Sequence, residues 1–295
     1  MLKSLIEATI IGIQVGCIYA IVALGLSIIF GIIRVVNFAH GSILMVFLYL
    51  GFYLNRFLHM DPYLAAIICV PAAFGFGYLL QYTLIRPIFV REKSYVVEPM
   101  GVLMLMAGVD MIITNLGIIV FTPYVKAVET SYGTSVFHLG SITLNTTRTI
   151  LIPIVILLAL GVSIFLNRSE LGNTIRAVGQ NREAAAICGI NVHHIYALTF
   201  GIGCAVTALG GCAILPFTPI TPTMGLDLSI KAFIVVVLGG LGSIPGMLVA
   251  GITIGLIESI SSQFIATGFS NLIALAIFII IIVVKPTGLM GKIRV

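Results

Sequence analysis

Uncharged apolar stretches, each long enough to form a membrane helix, recur along the chain with short polar junctions between them. The first covers residues 8–33, a shorter one interrupted by glycine covers 38–54, and a third covers 62–85. Further runs occupy 99–121, 149–166, 196–215, 232–257 and 264–284. A hydrocarbon core about 30 Å thick needs roughly 20 apolar residues per helix. The alternating, strand-length pattern of a transmembrane barrel is absent. The pattern therefore predicts an all-α fold, a polytopic transmembrane helical bundle of about eight membrane segments, with residues 1–295 as one transmembrane domain. The first run is too long for the apolar part of a signal peptide and has no small-residue cleavage site after it, so it is expected to persist as a helix.

Small residues and prolines punctuate these runs. Gly12 and Gly16, and again Gly251 and Gly255, form G-x-x-x-G pairs that permit close helix approach. Pro71 is placed to kink its helix. Gly239, Gly240, Gly242, Pro245 and Gly246 interrupt the run over 232–257. Such a break exposes backbone groups, which membrane depth tolerates only inside protein or facing water. Two readings stay open here: paired half-helix ends that hold a small zwitterion, or glycines that only allow close packing.

Composition agrees with the pattern. Hydrophobic residues make up 60% of the chain and charged residues 8%, about a third of the usual soluble fraction. The formal charge of +5 sits in short loops and at the C-terminus, not in a patch, which argues against nucleic acid and for the positive-inside rule. That rule places the loop containing Arg86, Arg91, Glu92 and Lys93, the loop from Arg168, and the tail with Lys285, Lys292 and Arg294 in the cytoplasm. The polar connection over 122–148 and the proline string from Pro216 are then external, and the segment over 231–258 cannot be one simple crossing. A broken or re-entrant helix resolves the parity. The five cysteines show no C-x-x-C spacing and read as packing residues, and no metal site is expected.

Polar groups inside or beside apolar runs are the candidates for a pathway. They are Gln14 in the first run, Asn37, His40 and Ser42 at the next junction, Asp110 near the centre of the fourth run, and Ser243 beside Gly239, Gly240 and Gly242. An acid at mid-membrane costs about 2.5 to 3.5 kcal/mol on insertion scales, so Asp110 should face protein or water. It reads either as a buried structural acid or as a proton-coupling group. A lone histidine such as His40 ordinarily serves as a hydrogen-bonded interface residue.

The longest charged segment, 168–192, carries Arg182, Glu183, Ala184, Ala185 and Gly189 in an E-A-A-x-x-x-G pattern. The alanines favour a slim helix, Gly189 suits its end, and the charges can fix a docked register. A polar loop with a surface-lying helix would have the same spacing. The pattern resembles the cytoplasmic coupling helix of bacterial ABC importer membrane subunits. The stretch N-F-A-H-G-S over 37–42 sharpens the resemblance to LivH-type permeases of branched-chain amino acid importers, with Ser42 standing where that family commonly has Glu. K-A-F-I-V-V-V-L-G-G-L-G-S-I-P-G-M over 231–247 and P-T-G-L-M-G over 286–291 extend it to most of the chain.

The resemblance implies a permease subunit in the bacterial inner membrane, with a second LivM-like permease, two ABC ATPase subunits and an extracytoplasmic substrate-binding protein as partners besides membrane lipid. It also implies ATP bound by those partners and no cofactor of its own. The residues agree: no G-x-x-x-x-G-K-[ST], no G-x-S-x-G and no H-E-x-x-H occurs, so no enzyme chemistry is expected. Two alternatives remain at this point. One is a urea or short-chain amide permease of the same superfamily. The other is a proton-coupled secondary transporter using Asp110. A channel is disfavoured because no ring of charges is apparent.

Overall fold

The computed structural model describes residues 2–91, 97–130, 132, 135–139, 142–264 and 267–291. Glu92, Lys93, Lys292 and Arg294, used above for sidedness, lie outside these residues.

Helices dominate because nearly every run is apolar all round, which suits helices buried in lipid or in one another. In chain order they are α1 (Leu2–Ile33), α2 (His40–Leu58), α3 (Pro62–Leu80), α4 (Arg86–Arg91), α5 (Val97–Phe121), α6 (Thr146–Arg168), α7 (Glu170–Gln180), α8 (Arg182–Ile187), α9 (Val192–Ile214), α10 (Met224–Gly239), α11 (Ile244–Phe264) and α12 (Thr267–Val284). A π-helical turn over Gln81–Ile85 joins α3 to α4 without a break. Seven helices among the described residues are long and apolar enough to cross a membrane, and a shorter apolar one follows near the C-terminus. The chain is thus a multi-pass helical bundle. The polar connection after α5 also contains a two-stranded antiparallel ribbon, β1 (Val136–Leu139) with β2 (Ile142–Asn145).

The run over 232–257 is two helices, α10 and α11, that fold back on each other across residues 240–243. This satisfies the parity that a single crossing violated. Gly239 backs directly onto Gly246 and Met247, where an added Cβ would come within 2.6 Å of backbone, so only glycine lets the two helices turn this tightly. At the other end of the bundle, the backbones of Lys126 and Ile220 bridge the loop after α5 to the proline string, which puts both on one face. Tyr132 on that face donates to Asp61 at 2.5 Å; burial, aided by this bond and the Asp61 charge, pushes its phenol above the ordinary range.

The two G-x-x-x-G pairs meet each other. A Cβ on Gly16 would lie 2.6 Å from Ile252 Cα and 2.7 Å from Gly251 O, and one on Gly12 would lie 2.9 Å from Leu256 Cα. α1 and α11 therefore touch backbone to backbone, which small residues permit where no hydrophobic force drives helices together in lipid. α9 packs on the other side of α1, through Gly25 and Gly203, and α3 packs on α9 through Gly77 and Cys204.

Candidate functional site

The junction over residues 34–39 is not helical, and Arg34 adopts a left-handed φ of 57° there. His40 Nε2 lies 2.8 Å from Val22 O, a carbonyl eleven residues short of the end of α1. Eleven residues of helix are about 16 Å long. The chain thus turns at the end of α1, climbs back along it, and starts α2 inside the bundle, not at its surface. His40 is 1% exposed and fastens that start.

A second helix begins at the same place. Gly41 N donates to Ser229 Oγ at 2.7 Å, and Ser229 Oγ donates to Phe38 O at 3.1 Å, which ties the first turn of α2 to α10. A Cβ on Gly225 would come 2.8 Å from Gly41 backbone atoms, so the two N-terminal turns are in direct contact. Helix N-termini leave N–H groups unpaired and carry partial positive charge. Ser42 Oγ donates to Ala39 O at 3.0 Å, and the Asp110 carboxyl of α5 sits against the Ser42 hydroxyl. Asp110 Oδ1 and both polar side-chain atoms of Asn37 are buried with no hydrogen-bond partner. Two converging N-termini, one carboxyl and one unsatisfied amide can recognise a small molecule carrying both charges.

The structure brings Asn37, His40, Ser42 and Asp110 into this cluster and leaves the other candidates elsewhere. Gln14 is buried and donates to Thr149 Oγ1 on α6 at 3.1 Å, joining two helices. Gly239, Gly240, Gly242 and Ser243 lie at the α10–α11 turn, beside the C-terminal segment over 286–291. Leu289 N donates to Leu238 O at 2.7 Å and Met290 N to Gly239 O at 3.2 Å. Gly240 and Gly242 have φ of 96° and 79°, and Ser243 Oγ accepts from Gly246 N at 3.2 Å. The backbone groups freed by the glycine break are thus taken up within the chain. Of the two readings open at Gly239–Ser243, the structure has close backbone packing there; two helix N-termini meet instead at His40 and Met224, a meeting that depends on the path of residues 34–39 and that no local pattern reveals.

The charged segment over 168–192 forms two short helices and not one. Ser169 caps α7 by accepting from Gly172 N, and Asn181 caps α8 by accepting from Glu183 N and Ala184 N. α8 closes on Gly189, whose φ is 84°: Gly189 N donates to Ala186 O and Ile190 N to Ala185 O, the paired bonds of a Schellman end. Ala185 faces the bundle, whereas Glu183, Ala184, Ala186 and Gly189 are exposed and Ile187 is 88% exposed. Arg182 is partly covered.

One polar group inside the bundle escaped the sequence reading. Lys231 Nζ lies 2.7 Å from Glu258 Oε2, which also accepts from Tyr19 at 2.9 Å, and Lys231 donates to Asn271 Oδ1 at 2.5 Å. Four helices, α1, α10, α11 and α12, thereby share one ion pair. Lys231 and Glu258 are 27 residues apart, so spacing alone could not pair them; a cation and an acid at the two ends of one apolar run were the available signal.

Comparison with known proteins follows the same direction. The family profile described as branched-chain amino acid transport system / permease component matches residues 8–282. The high-affinity branched-chain amino acid transport system permease protein LivH of Salmonella typhimurium is 30% identical, with 95% of this chain and 94% of the relative covered. LivH of Escherichia coli is 29% identical over the same shares. BraD of Pseudomonas aeruginosa, which carries the same description, is 28% identical over 95% of this chain and 94% of its own. No solved structure matches the chain significantly.

Proposed function

The chain belongs to the family of branched-chain amino acid transport system permease components, and from that membership we propose that it conducts branched-chain, hydrophobic amino acids through the inner membrane as one permease of an ABC importer. ATP hydrolysis then belongs to separate ATPase subunits, and this subunit carries no catalytic residue and no cofactor. A second LivM-like permease and an extracytoplasmic binding protein complete the assembly. The observation that carries the reading is the pairing of a family match over nearly the whole chain with an exposed, capped helix on the cytoplasmic side.

In this reading α8 docks on the ATPase. Its small residues Ala184 and Ala186 allow close approach, Ile187 offers an apolar anchor, and Arg182 and Glu183 hold the register. The Schellman end at Gly189 stops the helix sharply, so that motion of the docked helix passes into α9 and α7 through short connections. At the other end of the path, the N-termini of α2 and α10 attract a carboxylate, and Asp110 faces an ammonium. Asn37 orients the amino acid between them, and the aliphatic side chain meets the apolar walls. His40 and Ser42 act indirectly, by holding α2 in place.

The test is uptake of leucine, isoleucine, valine and urea into vesicles from cells carrying or lacking the gene, with and without trapped ATP and a proton uncoupler. Uptake of the aliphatic amino acids that needs ATP and survives the uncoupler is expected. Urea uptake would move the protein to an amide permease. Uptake that ignores ATP and collapses with the uncoupler would overturn the ABC assignment and make Asp110 a proton-coupling group.

A further inference from the structure

At the cytoplasmic end of the bundle, two features outside the substrate cluster adjoin one another. The first is a cavity of about 770 Å³ bounded by the end of α1, the end of α6, α7 and the α10–α11 turn. Arg34 and Arg176 line it, and among the described residues no Asp or Glu does. Arg34 donates to Gly179 O at 3.0 Å; Arg176 donates to Asn167 Oδ1 at 2.9 Å and to Asn173 Oδ1 at 2.6 Å. Each of these acceptors is neutral. Both guanidinium groups thus border the same cavity, one held by the backbone of α7 and the other borne on it.

The second feature is a groove of about 560 Å³ between α6 and α9, walled by apolar residues such as Leu158, Val162, Phe165, Val206 and Leu209. It shares Ile28 and Leu166 with the cavity, so the two spaces adjoin at these residues. Along α6 it reaches from Ile154 to Leu166. Twelve residues of helix measure about 18 Å, close to the length of an extended acyl chain. The groove runs from the cytoplasmic end of the helix towards its middle, which is the depth of the inner leaflet.

We propose that an acidic phospholipid of the cytoplasmic leaflet occupies both spaces, its phosphate between Arg34 and Arg176 and one acyl chain along the α6–α9 groove. Charge complementarity selects an anion, because among the described residues the space is lined by Arg34 and Arg176 and by no carboxylate side chain. A wholly apolar groove at membrane depth directly beside the cavity selects a lipid over a soluble anion. The headgroup joins α7, which leads directly into α8, to the end of α1 and to the α10–α11 turn. Lipid composition would then set how firmly the docking helix is held.

The experiment uses the full-length protein, purified with its co-purifying subunits, in nanodiscs of phosphatidylethanolamine doped with phosphatidylglycerol. Lipid retained per chain after delipidation is counted by native mass spectrometry. Wild type is expected to keep one phosphatidylglycerol in preference to phosphatidylethanolamine. R34Q/R176Q should lower that retention by about tenfold or more. A second variant guards against misfolding: a Cβ on Gly161, which lines the groove, meets nothing within 4 Å, so Gly161→Phe enters the groove from an uncrowded position and should also expel the lipid. Unchanged retention in both variants would overturn the proposal. So would equal retention of the two lipids, or displacement by inorganic phosphate with no effect of Gly161→Phe, which would mark a soluble-anion site. Crosslinking of a G161C variant to another subunit, with no lipid retained, would mark the groove as a protein interface and overturn it as well.

Discussion

Neutralising one partner of the Lys231–Glu258 pair should destabilise the protein more than neutralising both. Lys231 Nζ and Glu258 Oε2 are 2.7 Å apart, and the side chains are 17% and 20% exposed. Breaking a fully buried pair by removing one partner costs about 3–5 kcal/mol, because the remaining charge is left without compensation. One-fifth exposure lets solvent screen part of that charge, which lowers the expected cost to about 2 kcal/mol for either single variant. Glu258→Gln keeps an acceptor for Tyr19 but leaves the Lys231 cation with only the neutral Asn271 oxygen and the Tyr19 ring, whose centroid is 5.1 Å away. Lys231→Met leaves a carboxylate held by Tyr19 alone. In the double variant neither charge is stranded, so its loss should fall short of the sum by about 2–3 kcal/mol. At roughly 2–4 °C per kcal/mol for a chain of this size, each single variant should melt about 4–8 °C lower, and the double variant no lower than the worse single one. Thermal melting of the four purified proteins in one detergent reads this directly. Losses that add within about 0.5 kcal/mol would refute the view that the pair acts as a unit.

Gly16→Leu should lower the melting temperature further than any loop substitution. Its Cβ would sit 2.6 Å from Ile252 Cα, and overpacking against backbone costs about 1–3 kcal/mol or more; an unchanged melting curve would show that α1 and α11 do not touch there. Glu183→Lys should abolish uptake while leaving membrane insertion intact, and full uptake by a well-inserted variant would count against docking through α8. At Gly189, where an added Cβ meets no neighbour within 4 Å, Asn tolerates the left-handed backbone and should retain uptake, whereas Val should lose it; equal loss in both would shift the requirement from backbone conformation to the docked surface. Asp110→Asn should raise the leucine concentration for half-maximal uptake by about tenfold, the loss of one charge-assisted bond. An unchanged value would remove Asp110 from substrate recognition.

Local chemistry made much of this protein legible in its sequence. Apolar run length determines that the chain is a membrane bundle, since lipid leaves an apolar helix as the only way to satisfy its backbone. Basic residues in short loops predict sidedness, and the parity of crossings then favoured a broken or re-entrant helix around Gly239–Ser243, where the structure has the chain reverse. Gly189 ends α8 where its sequence position suggested, because a left-handed residue after a helix is a local demand. The two G-x-x-x-G pairs were each visible as contact surfaces, although only the tertiary structure matched them to each other.

What the sequence left undecided concerns groups far apart in the chain. Helix α2 starts deep in the bundle because His40 reaches back to Val22 O and Gly41 meets Ser229, 188 residues away. Run length records how much chain is apolar but not where along a neighbour a helix begins. The candidate set therefore divided: Asn37, His40, Ser42 and Asp110 converge, while Gln14 serves α6 and the glycines serve the α10–α11 turn. The Lys231–Glu258 pair was hidden for the same reason, since charges at the ends of an apolar run do not identify their partners. Distance along the chain carries no information about which faces of packed helices meet, and only the packed bundle supplies it.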